Sequence, residues 1–317
     1  MPRAYFDYLK SGYQEIIHKG FEYLGISIAP QERIAIKPNL TYPTFRKGVM
    51  TSPEAIEALV CYLLNFTSRI TICESDSGGY NPFSITEVFK TTGIEEFARK
   101  RAVRLVNMSF EPAREIEFRY LARHFRVPLP TLLLDESDRF ISMPVPKIHM
   151  NTIVSLSLKN QWGVIQSPAL RLKLHPYFEE VVYQINKHMP KAMAVVDGKY
   201  GLTRSGPMRG DVVDLNWVML CDSLYHTDLM VSEMMGMNWR KIHYLRHILG
   251  RENISSAEGV VKNSELPRSS DFYLERAWTD YPGLFTFKSR LLAYIGYESA
   301  LARPLHWLLY KFREPFY

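Results

Sequence analysis

The sequence has little cysteine. Its three cysteines, Cys61, Cys73 and Cys221, are widely separated and form no CxxC pair. That excludes thiolate clusters for iron–sulfur or zinc built from these residues, and a secreted disulfide framework. It fits a reducing compartment. No run of about eighteen apolar residues occurs, so no spanning helix is expected. The N-terminal "MPRAYFDYLKSGYQEIIHKG" is polar and amphipathic, without the apolar core of a signal peptide, which leads to a cytoplasmic expectation. There is no P-loop, no GxGxxG, no internal repeat and no block of lysine and arginine.

What is present is an ordinary globular composition of 317 residues, 46% apolar and 23% charged, with aromatics at 13%. The net charge of +6 leaves three kinds of partner open: a small anion, a membrane surface or nucleic acid. The dispersed basic residues and the lack of a recognisable module make nucleic acid the least favoured, and none is expected as a partner.

Apolar periodicity predicts a helix over residues 6–25, with Tyr13, Ile16, Ile17, Phe21 and Leu24 on one face. Strands are predicted at 33–38, 69–73 and 103–107, separated by helices at 51–66 and 83–98. The first of these helices has a clear start, with Thr51 or Ser52 as cap, Pro53 in the first turn and Glu54 at the positive end of the dipole. Strand and helix alternating at crossover spacing argue for a parallel sheet. Residues 110–140 read as loop with short strands. Further strands are expected at 139–146, 152–158, 192–198 and 212–221, with helices at 175–189 and 222–237. The fold class is therefore α/β: two Rossmann-like lobes, 1–125 and 126–250, with mostly parallel sheets, followed by a C-terminal helical extension, 251–317. The end of that extension is aromatic and basic. Its plainer reading is a helical segment packed on the domain. Its sharper reading is an amphipathic segment on a membrane or partner, anchored by Trp307, Leu308, Tyr310 and Phe312 beside Lys311 and Arg313.

Several stretches carry groups capable of chemistry. "IKPNL" ends a strand with Lys37 and Asn39, and "ICESDSGGYN" ends another with Glu74 and Asp76 before the Gly78–Gly79 pair. Ligands favour the carboxyl ends of parallel strands, although a proline-ended strand and a capped turn explain both stretches nearly as well. "VVDGKYGLTRSGPMRG" follows a strand with Asp197, four glycines, Arg204 and Arg209, a composition that can bring backbone N–H groups and guanidiniums onto an anion. "KIHMNTIVSLSLKN" brackets an apolar run with Lys147, His149, Lys159 and Asn160. A lone histidine is more often structural than a ligand. A lysine ending a buried strand is harder to dismiss, because desolvation lowers its pKa and frees it as base or nucleophile.

The order "IKPNL…TSPEAIEAL…ICES…PVPKIH…SLSLKNQWG…VVDG…SGPMRG" resembles domain-of-unknown-function family 362 over about residues 30–240. The spacing of His149, Lys159 and His175, ten and then sixteen residues, is similar to that of the nickel-pincer lactate racemases. That resemblance implies an acid/base role for His149, covalent attachment of a pincer nucleotide to Lys159, and metal ligation by His175. The chain departs from the racemases in having "VSLSL" where they have a glycine-rich run, and in lacking a match for their second catalytic histidine in the N-terminal half. The combined expectation is an enzyme with a basic cleft between lobes, acting on a carboxylate, phosphate ester or nucleotide by acid/base or lysine-nucleophile chemistry, racemase- or epimerase-like in its most concrete form. The N-terminal lobe would contribute Lys37, Asn39, Glu74 and Asp76. The C-terminal lobe would contribute Lys147, Asn160, Asp197, Arg204 and Arg209 beside His149, Lys159 and His175. The cofactor would be a divalent metal or a pincer-like nucleotide. The alternative is a non-catalytic scaffold that binds a membrane or protein through 280–317.

Overall fold

The computed structural model describes residues 1–77, 83–309 and 311–312, so Gly78 and Gly79, and Tyr310 and Arg313 of the tail, lie outside the described residues. Twelve strands occur among the described residues: β1 (Arg3–Tyr8), β2 (Ile34–Pro38), β3 (Ile70–Glu74), β4 (Arg104–Asn107), β5 (Ala113–Tyr120), β6 (Arg123–Pro130), β7 (Arg139–Met143), β8 (Lys147–His149), β9 (Ile153–Ser155), β10 (Met193–Thr203), β11 (Asp211–Cys221) and β12 (Val261–Lys262). Ten of them form one sheet. Its main path runs β12-β1-β11-β10-β7-β2-β3-β4, with β8 joined to β10 and β9. The pairs β2–β3, β3–β4, β2–β7 and β7–β10 are parallel, whereas β1–β11 and β10–β11 are antiparallel. The α/β class with a mostly parallel sheet is thus observed. The strands expected in two lobes lie in this one sheet, with β7 between β2 and β10, and residue 125 falls inside β6.

Packing follows from the alternation of side chains along each strand. On β10, Val195 joins one apolar cluster, with Ile36, Ile72 and helix Pro53–Leu63, while Ala194 and Val196 face another, built with helices Leu224–Met234 and His243–Arg251. The central strands β2 and β3 are buried at every residue, as parallel strands covered on both faces must be.

Four local expectations are corrected. Residues 3–8 are a strand paired with β11, and the first helix starts only at Tyr13, after Gly12 at φ +84°. Its expected inward positions, Tyr13, Ile16, Ile17, Phe21 and Leu24, are all buried. The helix expected over 83–98 is two helices, Ile85–Thr91 and Ile94–Lys100, parted at Gly93 with φ +81°. Residues 113–130 form a long hairpin closed by Leu121 and Ala122, both at positive φ. Such two-residue turns usually carry Asn-Gly, so this one leaves no compositional trace. Finally, the strand expected at 152–158 stops at Ser155, and Ser157–Asn160 form a short helix.

Asp197 shows how the two halves are tied. It leaves β10 to accept hydrogen bonds from Tyr13 Oη at 2.7 Å and from the Ser52 backbone N–H at 2.6 Å, at the start of helix Pro53–Leu63. Neither expected cap, Thr51 or Ser52, caps this helix with its own side chain. Asp197→Ala leaves two buried donors unmet, each costing about 1–3 kcal/mol. Urea unfolding of that variant is expected to show a stability loss of about 3 kcal/mol; a loss within error of zero would contradict the capping role.

Candidate active site

The carboxyl ends of β2 and β3 meet in a buried ion pair. Lys37, only 1% exposed, donates from Nζ to Glu74 Oε2 at 2.8 Å and to Asn160 Oδ1 at 3.2 Å. Asn160 returns two bonds, from Nδ2 to the Lys37 carbonyl and to Ser142 Oγ, each 3.1 Å. Ser142 donates to Gln161, and Gln161 to Asn186. This chain of side-chain bonds fastens the segment carrying Lys159 across the ends of three adjacent strands. The segment comes so close that a Cβ at Gly163 would lie 3.0 Å from Lys37 Nζ.

The short helix Ser157–Asn160 exists because Asp228 caps it. This fully buried carboxyl accepts from the backbone N–H of Ser157 at 2.8 Å, from that of Leu158 at 3.1 Å, and from the Ser157 hydroxyl. Burial pushes the Asp228 carboxyl up to about 7 against these bonds. The cap turns Lys159 out of the strand direction and toward Phe178, whose ring centroid lies 6.0 Å from Nζ. Among the described residues Lys159 has no hydrogen-bond or ion-pair partner. Burial, then the charge of Lys147, holds its amine well below the ordinary lysine range.

Lys147 is itself buried and donates to the Val49 carbonyl at 2.8 Å. Burial, then the charge of Lys37, pulls it down to about 7. His149 accepts at Nδ1 from the Asn151 backbone N–H at 3.1 Å, which assigns the proton of its neutral ring to Nε2. Burial, then the charges of Lys159 and His175, holds it well below the usual imidazole range. His175 has Nδ1 3.5 Å from the Asn151 side-chain amide. Its ring lies between Phe287, 4.2 Å away at 23°, and Phe178, 5.4 Å away at 17°. Burial, then Lys159, lowers it to about 3. The structure therefore brings Lys147, His149, Lys159 and His175 into one electrostatic neighbourhood in which amines and imidazoles depress one another. Lys147 is buried and the other three are half-buried, so the cluster can be reached by a ligand and can attract an anion, with Lys147 near 7 able to exchange a proton around neutral pH.

The other expected site residues have local partners. Asn39 shares the Val49 carbonyl with Lys147, donating to it at 2.7 Å. Asp76 accepts from the Ile85 N–H and from Asn107, holding the start of a helix. Arg204 pairs with Asp211 at 2.8 Å across the β10–β11 hairpin. Arg209 lies in the hairpin's connecting loop. The glycine-rich run is mostly this hairpin. At Gly206 a Cβ would meet the Ile148 carbonyl oxygen at 2.0 Å, so glycine there permits contact between loop and β8. Three residues that shape the site were not anticipated: Asp228, Asn151, and buried Arg171, which donates to the Asp76 carbonyl and to Ser75 Oγ. Arg171 carried no signal beyond its place in a basic stretch. Asp228 was visible as an acid followed by three apolar residues in "DLMV".

The fit to a cofactor divides in two. An unpartnered amine of lowered pKa suits Lys159 to hold an attached group. For a divalent ion bound by protein alone, no three His, Cys, Asp or Glu side chains converge among the described residues. His175 would be a single protein ligand, its ring held in place by stacking against Phe178 and Phe287.

Residues 34–233 match the family described as domain of unknown function (DUF362), and the chain belongs to that family. No curated protein matches it. Two solved structures are similar. A Thermotoga maritima protein known from its crystal structure is 15% identical with a TM-score of 0.41, over 76% of this chain and 59% of that chain. The lactate racemase apoprotein from Thermoanaerobacterium thermosaccharolyticum is 12% identical with a TM-score of 0.41, over 68% of this chain and 53% of that chain. The chain thus spans less than two thirds of either neighbour. The expected family is shown by the first of these matches.

Lys147 sets a pH dependence. Its pKa near 7 in the folded chain lies below the ordinary value of 10.5. Between the two, the unfolded chain holds a proton that the folded chain has released, so stability rises with pH through that window. Each such group contributes up to about 1.4 kcal/mol per pH unit. Lys159 acts with the same sign. Lys147→Met is expected to flatten, without abolishing, the rise in unfolding free energy between about pH 7.5 and about pH 9.5. A slope unchanged from the parent would contradict a depressed Lys147.

Proposed function

We propose that this chain is an enzyme that takes a small organic anion at the Lys147–His149–Lys159–His175 cluster and acts on it by acid/base or lysine-nucleophile chemistry. The observation that carries this reading is the Lys159 amine: held toward its neutral form, without a hydrogen-bond or ion-pair partner among the described residues, and next to imidazoles that are themselves neutral. A neutral amine can take a proton or attack a carbonyl, whereas an ammonium can do neither. His149 complements it, because its Nδ1 is occupied by backbone donors and its Nε2–H is left to donate a hydrogen bond to an oxygen of the anion. An anion entering such a site meets Lys147, whose pKa near 7 its charge raises, so anion binding and protonation of Lys147 reinforce each other while the charge of Lys147 keeps the Lys159 amine depressed.

The most concrete version is proton exchange at the carbon next to a carboxylate, as in racemisation or epimerisation. Lys159 would remove the proton as an amine and, as the ammonium so formed, return it to that carbon. The spacing shared with the lactate racemases supports this version over hydrolysis or group transfer. In a second arrangement a nucleotide held covalently by Lys159, with His175 as a ligand of its metal, would supply metal-assisted activation of that carbon; Lys159 would then no longer be a free amine and proton transfer would fall to His149.

The test is deuterium incorporation from heavy water into 2-hydroxy acids and 2-amino acids, followed by proton NMR on protein from its native host. The parent is expected to label at least one substrate at the carbon next to the carboxylate. Lys159→Ala and His149→Ala are each expected to lower that rate by about a hundredfold or more while melting cooperatively. Equal rates in parent and both variants would end the reading.

A further inference from the structure

Of the nineteen large apolar side chains exposed among the described residues, eleven lie between Trp278 and Phe312. That is a heavy concentration for about a ninth of the chain, because isolated exposed apolar residues are normal but clustered ones mark an interaction surface. Trp278, Phe285, Leu291, Leu301, Trp307 and Phe312 are each more than half exposed. Between them stand four cations, Lys288, Arg290, Arg303 and Lys311, all exposed, against a single acidic residue in 281–312, Glu298. Lys311 lies over the Trp307 ring at 3.8 Å, its stem along apolar surface and its charge at the rim.

From this pairing of aromatic and aliphatic side chains with cations we infer that residues 278–312 form a docking surface for an anionic lipid bilayer. Exposed Trp, Tyr and Phe suit the interface between headgroups and acyl chains, and the interleaved lysines and arginines complement an anionic leaflet. No described helix is long and apolar enough to cross a membrane, so the segment lies on the bilayer. It is built of short pieces, Tyr281–Thr286, Arg290–Ala293 and Ala302–Leu309, with Ala293 and Ala302 turned inward while Leu291, Leu292 and Trp307 face out. A protein partner of the usual kind would favour fewer lysines at such a centre. Through Phe287 against His175 the same extension reaches the candidate active site, so the docked bilayer would lie beside it. The inference does not depend on the catalytic reading.

The experiment is co-sedimentation of the full chain with vesicles of phosphatidylcholine alone and of phosphatidylcholine mixed with phosphatidylserine, with tryptophan emission read in parallel. Binding is expected on the mixed vesicles, with a blue shift, and at least about tenfold weaker binding on the neutral ones. Lys288→Glu with Arg290→Glu, and separately Trp307→Ser with Leu308→Ser, are each expected to weaken partition at least about tenfold, with melting temperatures unchanged. These positions are exposed, so the variants fold. Three results would overturn the inference: no sedimentation with either vesicle, binding insensitive to both double variants, or lipid-free self-association lost in the Trp307/Leu308 variant, which would assign the face to a second copy of the chain.

Discussion

The buried Lys37–Glu74 pair is the constraint from which the site follows. A lysine and a glutamate removed from water at the ends of adjacent strands are tolerable only when they meet each other and the remaining bonds are satisfied. Here Asn160 completes the arrangement, bonding both the Lys37 amine and the Lys37 carbonyl. The pair therefore fixes more than two strand ends. It holds the segment that bears Lys159 against β2 and β7, and it sets beside Lys147 a cation that lowers its pKa more than the Glu74 carboxylate raises it.

The four basic groups of the cluster share their causes. Burial comes first for each of them and the charge of a neighbouring cation second. The physical outcome is loss of protons in place of ion pairing, since an uncompensated buried cation costs more than a shifted pKa. Asp228 contributes from the opposite side. By capping Ser157 and Leu158 it sets the direction of Lys159, and its own pKa near 7 keeps it from acting as a full counter-charge. A protein that needed only a stable core would replace such a cluster with apolar residues at little cost. A cluster of mutually depressed bases suits a site awaiting an anion.

Much of this was legible in the residues, and the exceptions have identifiable causes. β2, β3 and the helix Pro53–Leu63 announced themselves through apolar runs and a proline in the first turn, because those signals are local. Lys37, Glu74, Lys147, His149, Lys159, Asn160 and His175 were all read as chemically capable, and the structure gathers them. The helix at Ser157–Asn160 was not legible, because its cap, Asp228, lies 71 residues away in the chain. A strand with the composition of 152–158 is the right local expectation until that distant carboxyl is known. Asp197 misled for the same reason in reverse. Its place at the end of an apolar stretch suggested an anion clamp, whereas it caps a helix 145 residues earlier in the chain. The hairpin at 113–130 escaped because Leu121 and Ala122 adopt a conformation normally marked by glycine or asparagine.

The central claim is that burial and the charge of Lys147 hold the Lys159 amine well below the ordinary lysine range. The most direct measurement is the rate of its acylation by a small amine reagent as a function of pH, read by peptide mass spectrometry with exposed lysines as internal references. The account predicts that Lys159 reaches its plateau rate well below the pH at which exposed lysines such as Lys288 do. A titration for Lys159 that coincides with theirs would contradict the account.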